Sequence, residues 1–477
     1  MAARLWQSGP MINALCGMSA LELAGMIAAR EVSSVEVVNA HLDRIEDVNP
    51  RVNAIVRRLD VTARQAAEAA DRAVAAGSPL GVFHGVPMTV KENIDVAGTP
   101  TTNAVTALAE FIVTTDAPVV ERMRSAGAIP IGRTNLPDFG LRVATESSLH
   151  GITRNPWNPD LTAGGSSGGE AVALATAMSP IGLGNDLGGS LRNPAHCCGI
   201  ASIKPSTGLV PSASELPPED SSIMMQLMSV EGVMARRVAD VRAGLLAIAG
   251  PHLRDPKALP IRLIEAVSGR PLRVALLAEP PGGDTDPGIA ASIRAAADAL
   301  ANAGAEVVEA CPATYARAIE LWSSLLITDI RELMPMLELV LGADARTFLG
   351  FAEQVNPEST IATFSAGLIE RSAVERDFHR FLHAHDVLLS PTWAMRAFPH
   401  GADVASLEGG LHTLSTMRPV LPANLLGLPA AVVPVGLADG MPVGAQVTAR
   451  RCGDLVALQV AEMLEDVFGL MTPIEPI

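Results

Sequence analysis

Apolar and polar positions repeat with two different periods along the chain. At the start the period is helical: LELAGMIAAR and VEVVNAHLDRIEDV carry apolar residues at three- and four-residue intervals. Each is opened by a capping-box pair, Ser19 with Glu22 and Ser33 with Glu36. The alanine-rich stretch 63–76 predicts a third helix. The period then shortens. VPMTV (86–90) reads as a short buried strand, APVVERMRSAG as a helix and AIPIG as another strand, which is an α/β alternation. EAVALATAM predicts a helix, and IGLG and GIASIK predict strands. After a loop and a helix come the strand LRVALLA, the amphipathic helix DPGIAASIRAAADALANAG and the strand AEVVEA. Several helices follow from about 314 to 385, then the strands DVLLSPT and PAAVVPVG, and a closing helix near 455–464. Between 132 and 163 the pattern lapses into Asn, Pro and Gly, predicting a long loop system of the kind that carries function in a compact fold. No repeat, low-complexity tract or linker breaks the series, so one α/β domain over 1–477 is expected. Its parts are N-terminal helices (1–77), a core (78–210) and the remainder of the sheet with pocket loops (211–477).

Composition narrows the partners. Of 477 residues, 48% are hydrophobic and 18% charged, a globular balance. The net charge of -16 argues against nucleic acid and anionic membrane, which would repel such a surface. Aromatics make up 3%, with one tyrosine, so the stacking platforms of a single-strand binder are lacking. Cys16, Cys197, Cys198, Cys311 and Cys452 are odd in number and show no CxxC spacing; neither a disulfide framework nor a zinc site is encoded. The N-terminal MAARLWQSGPMINALCGM has no sustained apolar run, so no signal peptide is read, and no stretch is long enough to span a bilayer. A reducing, cytoplasmic setting is expected. His379, His383 and His385 in HRFLHAH lack the glutamate of the HExxH motif and read as a partly exposed helix face.

The chemistry concentrates in two glycine-rich stretches, TAGGSSGGEAVALA (162–175) and GNDLGGSLRNPA (184–195). A phosphate cradle would need the lysine and hydroxyl of GxxxxGK[ST], which are missing. A nucleophile elbow matches Gly164–Gly168 as GxSxG but needs a strand before it, and NPWNPDLTA is not one. A third reading joins the two stretches. The backbone N–H groups of Leu187, Gly188, Gly189 and Ser190 can converge where the strand IGLG ends, forming an oxyanion hole whose donors are each worth ~3–4 kcal/mol in a transition state. Ser190 is then a nucleophile that needs a base. Lys91 follows an apolar strand directly, where desolvation favours the neutral amine.

The run GGSSGGEAVALATAMSPIGLGNDLGGSLRNPAHCCGIASIKPSTG resembles the signature of the amidase signature family. GVPMTVKENIDVAGTPTT, AIPIGRTNLPDFG, TRNPWNPDLTAGGSSGG, HDVLLSPT, NLLGLPAAVVPVG and MPVGAQV extend the resemblance over nearly the whole chain. It implies a single α/β/α domain with a central mixed, mostly parallel twisted sheet covered by helices on both faces. It also implies a catalytic triad of Lys91, a bridging Ser166 preceded by a cis peptide, and the nucleophile Ser190. The oxyanion donors carry over to Leu187, Gly188, Gly189 and Ser190, and supporting roles to Ser167, Asp186 and Arg192. No metal or organic cofactor is implied; the partner is a small-molecule amide, and family members are often homodimers. The expected activity is cleavage of a carboxamide C–N bond through an acyl-enzyme, the acyl group being aryl or aliphatic. The alternatives are hydrolysis of a hydrazide, urea, carbamate or ester, a role as the glutamine-hydrolysing component of an amidotransferase and, in a different class, a non-catalytic binding protein. Asn185 stands where threonine is frequent, Ser202 where glycine is frequent, and TNAVTAL replaces a stretch usually richer in glycine or serine.

Overall fold

The N-terminal helices start where their sequence says they should. In the computed structural model, which describes residues 13–217 and 220–477, the Ser19 hydroxyl accepts from the Glu22 amide while the Glu22 carboxylate accepts from the Ser19 amide. Ser33 and Glu36 repeat the arrangement. These caps open the helices Ala20–Ala28 and Ser34–Val52, and the second buries Val37, Val38, Leu42, Ile45 and Val48 along one stripe.

Thirteen strands follow in chain order. They are β1 (Ile55–Arg58), β2 (Pro87–Lys91), β3 (Ile129–Thr134), the two-residue β4 (Glu146–Ser147) and β5 (Gly151–Ile152), β6 (Ile181–Asp186) and β7 (Ala201–Lys204). Then come β8 (Val230–Ala235), β9 (Arg273–Leu276), β10 (Glu306–Glu309), β11 (Val387–Pro391), β12 (Ala430–Ala438) and β13 (Met441–Ala449). β4 and β5 pair only with each other. The others form one sheet in the order β1-β3-β2-β6-β8-β7-β12-β13-β11-β9-β10. The molecule is thus a single α/β domain around a mixed sheet.

The sheet is less parallel than the family resemblance implied. Only β2–β3, β2–β6, β9–β10 and β9–β11 run parallel, and the other six neighbouring pairs are antiparallel. Part of the reason is local: β12 and β13 form a hairpin turned by Asp439 and Gly440, both at positive φ, and such a turn can join only antiparallel strands. Strand alternation sends Val233 to one face and Met234 to the other. The first face packs on the helices Pro118–Ser125, Val238–Ile248, Pro287–Asn302 and Asp454–Phe468; the second packs on Ser34–Val52, Gly168–Ala175 and Arg192–Cys198. A further apolar cluster joins the helices Tyr315–Leu337, Ala343–Gln354 and Ile361–Ala384 to the segment 417–430. Among the described residues no helix is long and apolar enough to cross a membrane.

Candidate active site

β2 and β6 are parallel neighbours with Val90 opposite Leu183, so Lys91 and the end of β6 emerge at the same edge of the sheet. Every residue of β2 is buried, and Lys91 is 0% exposed although it is a lysine. Its Nζ donates to Ser166 Oγ at 2.7 Å and to Asn185 Oδ1 at 2.7 Å. Burial pulls the amine down to about 7, against the opposing fields of Glu231, Asp186 and Glu170. Near neutrality a large share of such an amine carries a lone pair and can act as a base.

The peptide between Gly165 and Ser166 is cis. The Ser167 amide donates to the Ser190 carbonyl at 3.1 Å, which binds the first serine loop to the second. The Ser190 hydroxyl is half-buried and has no hydrogen-bond partner among the described residues. Lys91, Ser166 and the Ser190 loop therefore meet at one place. His379 and His383 lie far along another helix, exposed, with ring centroids 5.6 Å apart.

Of the four amides expected to face an oxyanion, one is already engaged. Gly189 is buried at φ +99°, and its amide donates to Asp186 Oδ1 at 2.9 Å, so it is already engaged. The amides of Leu187, Gly188 and Ser190, each partly exposed, find no acceptor among the described residues. The indole of Trp322 fixes this segment from above by donating to the Leu187 carbonyl at 3.2 Å. A Cβ on Gly188 would lie 2.6 Å from that indole, and one on Gly189 2.9 Å from Val420 Cγ2.

The same crowding explains the glycines upstream. A Cβ on Gly182 would overlap the Glu170 carboxylate, one on Gly184 would lie 2.8 Å from Ser167 Oγ, and one on Gly169 2.4 Å from the Asn135 backbone. Small residues let the helix Gly168–Ala175 settle onto β2 and β6 tightly enough to carry Ser166 to Lys91.

Asp186 and Arg192 form a fully buried ion pair at the loop. Arg192 donates to both Asp186 oxygens at 2.9 Å through Nε and Nη2, and through Nη1 to the Val420 carbonyl at 2.9 Å and to Gln446 Oε1 at 2.7 Å. Burial favours the neutral acid at Asp186. Arg192 and the Asn424 amide outweigh it and hold the carboxyl well below the usual carboxylate range.

Sequence reasoning missed two acids, one buried and one half-buried. Glu170 is 0% exposed, accepts from Thr134 Oγ1 at 2.8 Å and from Thr89 Oγ1, and is pushed up by burial to about 8. Glu231 faces Asn185 across the β6–β8 pairing, accepts from Ser212 Oγ at 3.2 Å, has a second oxygen with no partner among the described residues, and is raised by burial to about 7. A lone glutamate opening the apolar run EAVALATAM was the available signal for the first.

The amidase family model matches residues 36–458. The chain belongs to the amidase signature family. This amidase is 38% identical over 462 residues to an indoleacetamide hydrolase of Bradyrhizobium diazoefficiens, covering 95% of this chain and 87% of that one. It is 36% identical to the A-subunit of the glutamyl-tRNA(Gln) amidotransferase of Salinispora arenicola, over 96% and 99% of the two chains. In three dimensions it is similar to a 6-aminohexanoate cyclic dimer hydrolase, at TM-score 0.83 and 28% identity over 96% of this chain and 98% of that one. A bacterial aryl acylamidase of the amidase signature family gives TM-score 0.83 and 26% identity over 97% and 98%. The amidase is an amide-hydrolysing enzyme.

Proposed function

We propose that this amidase is a serine hydrolase of neutral primary carboxamides whose acyl group is apolar, aryl or aliphatic. The observation that carries the reading is the 2.7 Å contact between Ser166 Oγ and a fully buried, half-neutral Lys91. Lys91 takes the proton of Ser166 as Ser166 takes that of Ser190, and Ser190 Oγ adds to the amide carbon. The oxyanion forms against the free amides of Leu187, Gly188 and Ser190. The proton then returns through Ser166 to the leaving nitrogen, which departs as ammonia. Water repeats the cycle on the acyl-enzyme, releasing the acid.

A neutral acyl group fits the surroundings of the oxyanion segment. Trp322, Trp393, Met417 and Val420 crowd Gly188 and Gly189. The nearby guanidinium groups are committed: Arg192 to Asp186 and Gln446, and Arg418 to the carbonyls of Pro280, Ser415 and Gly283. The name of the indoleacetamide hydrolase, which specifies a primary arylacetamide, agrees with such a substrate. The amidotransferase relative supports a second reading, glutamine hydrolysis within a larger assembly. All five cysteines are free, which suits a reducing compartment.

The test is a screen of the purified chain on arylacetamides, alkyl amides, anilides, hydrazides, ureas and glutamine, read by released amine or ammonia. Arylacetamide turnover by the chain alone is expected. Glutamine turnover that requires added partner proteins would replace this reading with the second. Ser190→Ala should lose both turnover and labelling by a fluorophosphonate, and full labelling of that variant would move the nucleophile elsewhere.

A further inference from the structure

We propose that Asn185, held by Asn93, is a positioning residue that directs the lone pair of neutral Lys91 at Ser166. The inference rests on the reading of Lys91 as the base. It follows from the hydrogens that three side chains have to share. Asn185 Oδ1 accepts from Lys91 Nζ at 2.7 Å, and Asn185 Nδ2 donates to Asn93 Oδ1 at 3.0 Å. All three groups sit at the end of β2 and β6, with Lys91 buried and the two asparagines half-buried.

A protonated lysine has only donors to offer, so the oxygen of Asn185 must face it. Once the proton has left, that constraint disappears. A neutral amine has two N–H groups and one lone pair, and a flipped Asn185 would present its NH2 to the lone pair and occupy the base. The bond to Asn93 opposes the flip, since both amides would have to turn together: it gives Nδ2 a partner on the far side and keeps Oδ1 toward the amine. With Oδ1 there, one N–H of Lys91 is used and the lone pair is left for the hydroxyl of Ser166, 2.7 Å away. A hydroxyl-bearing residue in place of Asn185 could both donate and accept at Nζ, so the amide with its second anchor provides a directionality that a hydroxyl does not.

The test is steady-state kinetics with pH profiles on Asn185→Leu, Asn185→Asp and Asn93→Ala, beside Lys91→Ala. General-base assistance is worth roughly 10²- to 10⁴-fold, so misdirecting the base should forfeit a part of that. Asn185→Leu is expected to lower kcat roughly 100-fold and Asn93→Ala roughly 10-fold, with KM held within about twofold. Asn185→Asp adds a carboxylate to the acidic side chains already facing Lys91, Glu170 on the helix Gly168–Ala175, Asp186 at the end of β6 and Glu231 on β8. It should therefore move the acid limb of activity to higher pH, an effect that loss of packing would not produce. Unchanged kcat in Asn185→Leu and Asn93→Ala, with Lys91→Ala inactive, overturns the positioning role and leaves the base reading intact. A fully active Lys91→Ala overturns both. If Asn185→Leu does not fold, Asn93→Ala and Asn185→Asp decide the matter.

Discussion

Lys91 and Ser166 touch through their side chains at 2.7 Å although 75 residues separate them in the chain. The contact exists because β2 delivers a lysine into the interior, and that delivery has a thermodynamic sign. The folded amine lies at about 7, below its ordinary 10.5. Between those values the unfolded chain binds a proton that the folded chain does not, so the stability contributed by this group rises as pH climbs from about 7 to 10.5. Lys91→Met should therefore abolish turnover yet melt at the same temperature as the parent or higher at about pH 7, with the advantage fading toward about pH 10. Calorimetry of the pair at both pH values checks this; a large loss of stability near neutrality would show that the amine is a net structural asset.

Glu231 offers a pH prediction of its own. Its field raises the proton affinity of Lys91. Glu231→Gln removes that field, so Lys91 should lose its proton more readily and the acid limb of kcat/KM should shift to lower pH. An unmoved limb would mean that Glu231 is uncharged in the working enzyme.

The Asp186–Arg192 pair should behave as a structural keystone. Both side chains are 0% exposed, and Asp186 also accepts from the amides of Gly189 and Leu191. Breaking a buried pair by removing one partner costs about 3–5 kcal/mol, so Asp186→Asn should lower the melting temperature markedly and loosen the oxyanion segment. A denaturant titration reads the first effect and kcat the second. A variant with normal stability and reduced kcat would instead place Asp186 close to the chemistry.

Gly182 and Glu170 should be coupled. A Cβ at 182 would collide with the Glu170 carboxylate, and overpacking of this kind costs roughly 1–3 kcal/mol. Gly182→Ala should destabilise by about that amount, and combining it with Glu170→Ser should recover a part. Strict additivity in the double-mutant cycle would argue that the helix simply moves away.

The fold was legible where periodicity was strong and local. The capped helices 20–28 and 34–52, the apolar strands β2, β3, β6, β9 and β11 and the helix Pro287–Asn302 each announce themselves in a short window of sequence. β1, β8 and β13 do not read as strands from the sequence. IVRR is too short, VEGVMA is interrupted by a glycine, and MPVGAQVTA is buried on both faces and so lacks alternation. Five of the six antiparallel pairings involve one of these three, and the strand order was out of reach for that reason. At the site, Lys91 could be singled out because a cation after an apolar strand is a conflict visible in sequence. Glu231 could not, since its strand gives no clear signal, and the loss of the Gly189 donor depended on a carboxylate whose direction only packing fixes.

Trp322, Asn424 and Gln446 anchor the loop 187–192, yet the three proposed reactive side chains, Lys91, Ser166 and Ser190, all lie within the first 190 residues. The groups that hold the oxyanion segment and anchor Arg192 thus leave the ribosome well after the reactive ones. A nascent polypeptide that ends short of Trp322 carries the three proposed reactive groups without these anchors. On the proposed mechanism, a fragment ending before Trp322 is expected to show no amide turnover, however intact its Lys91, Ser166 and Ser190.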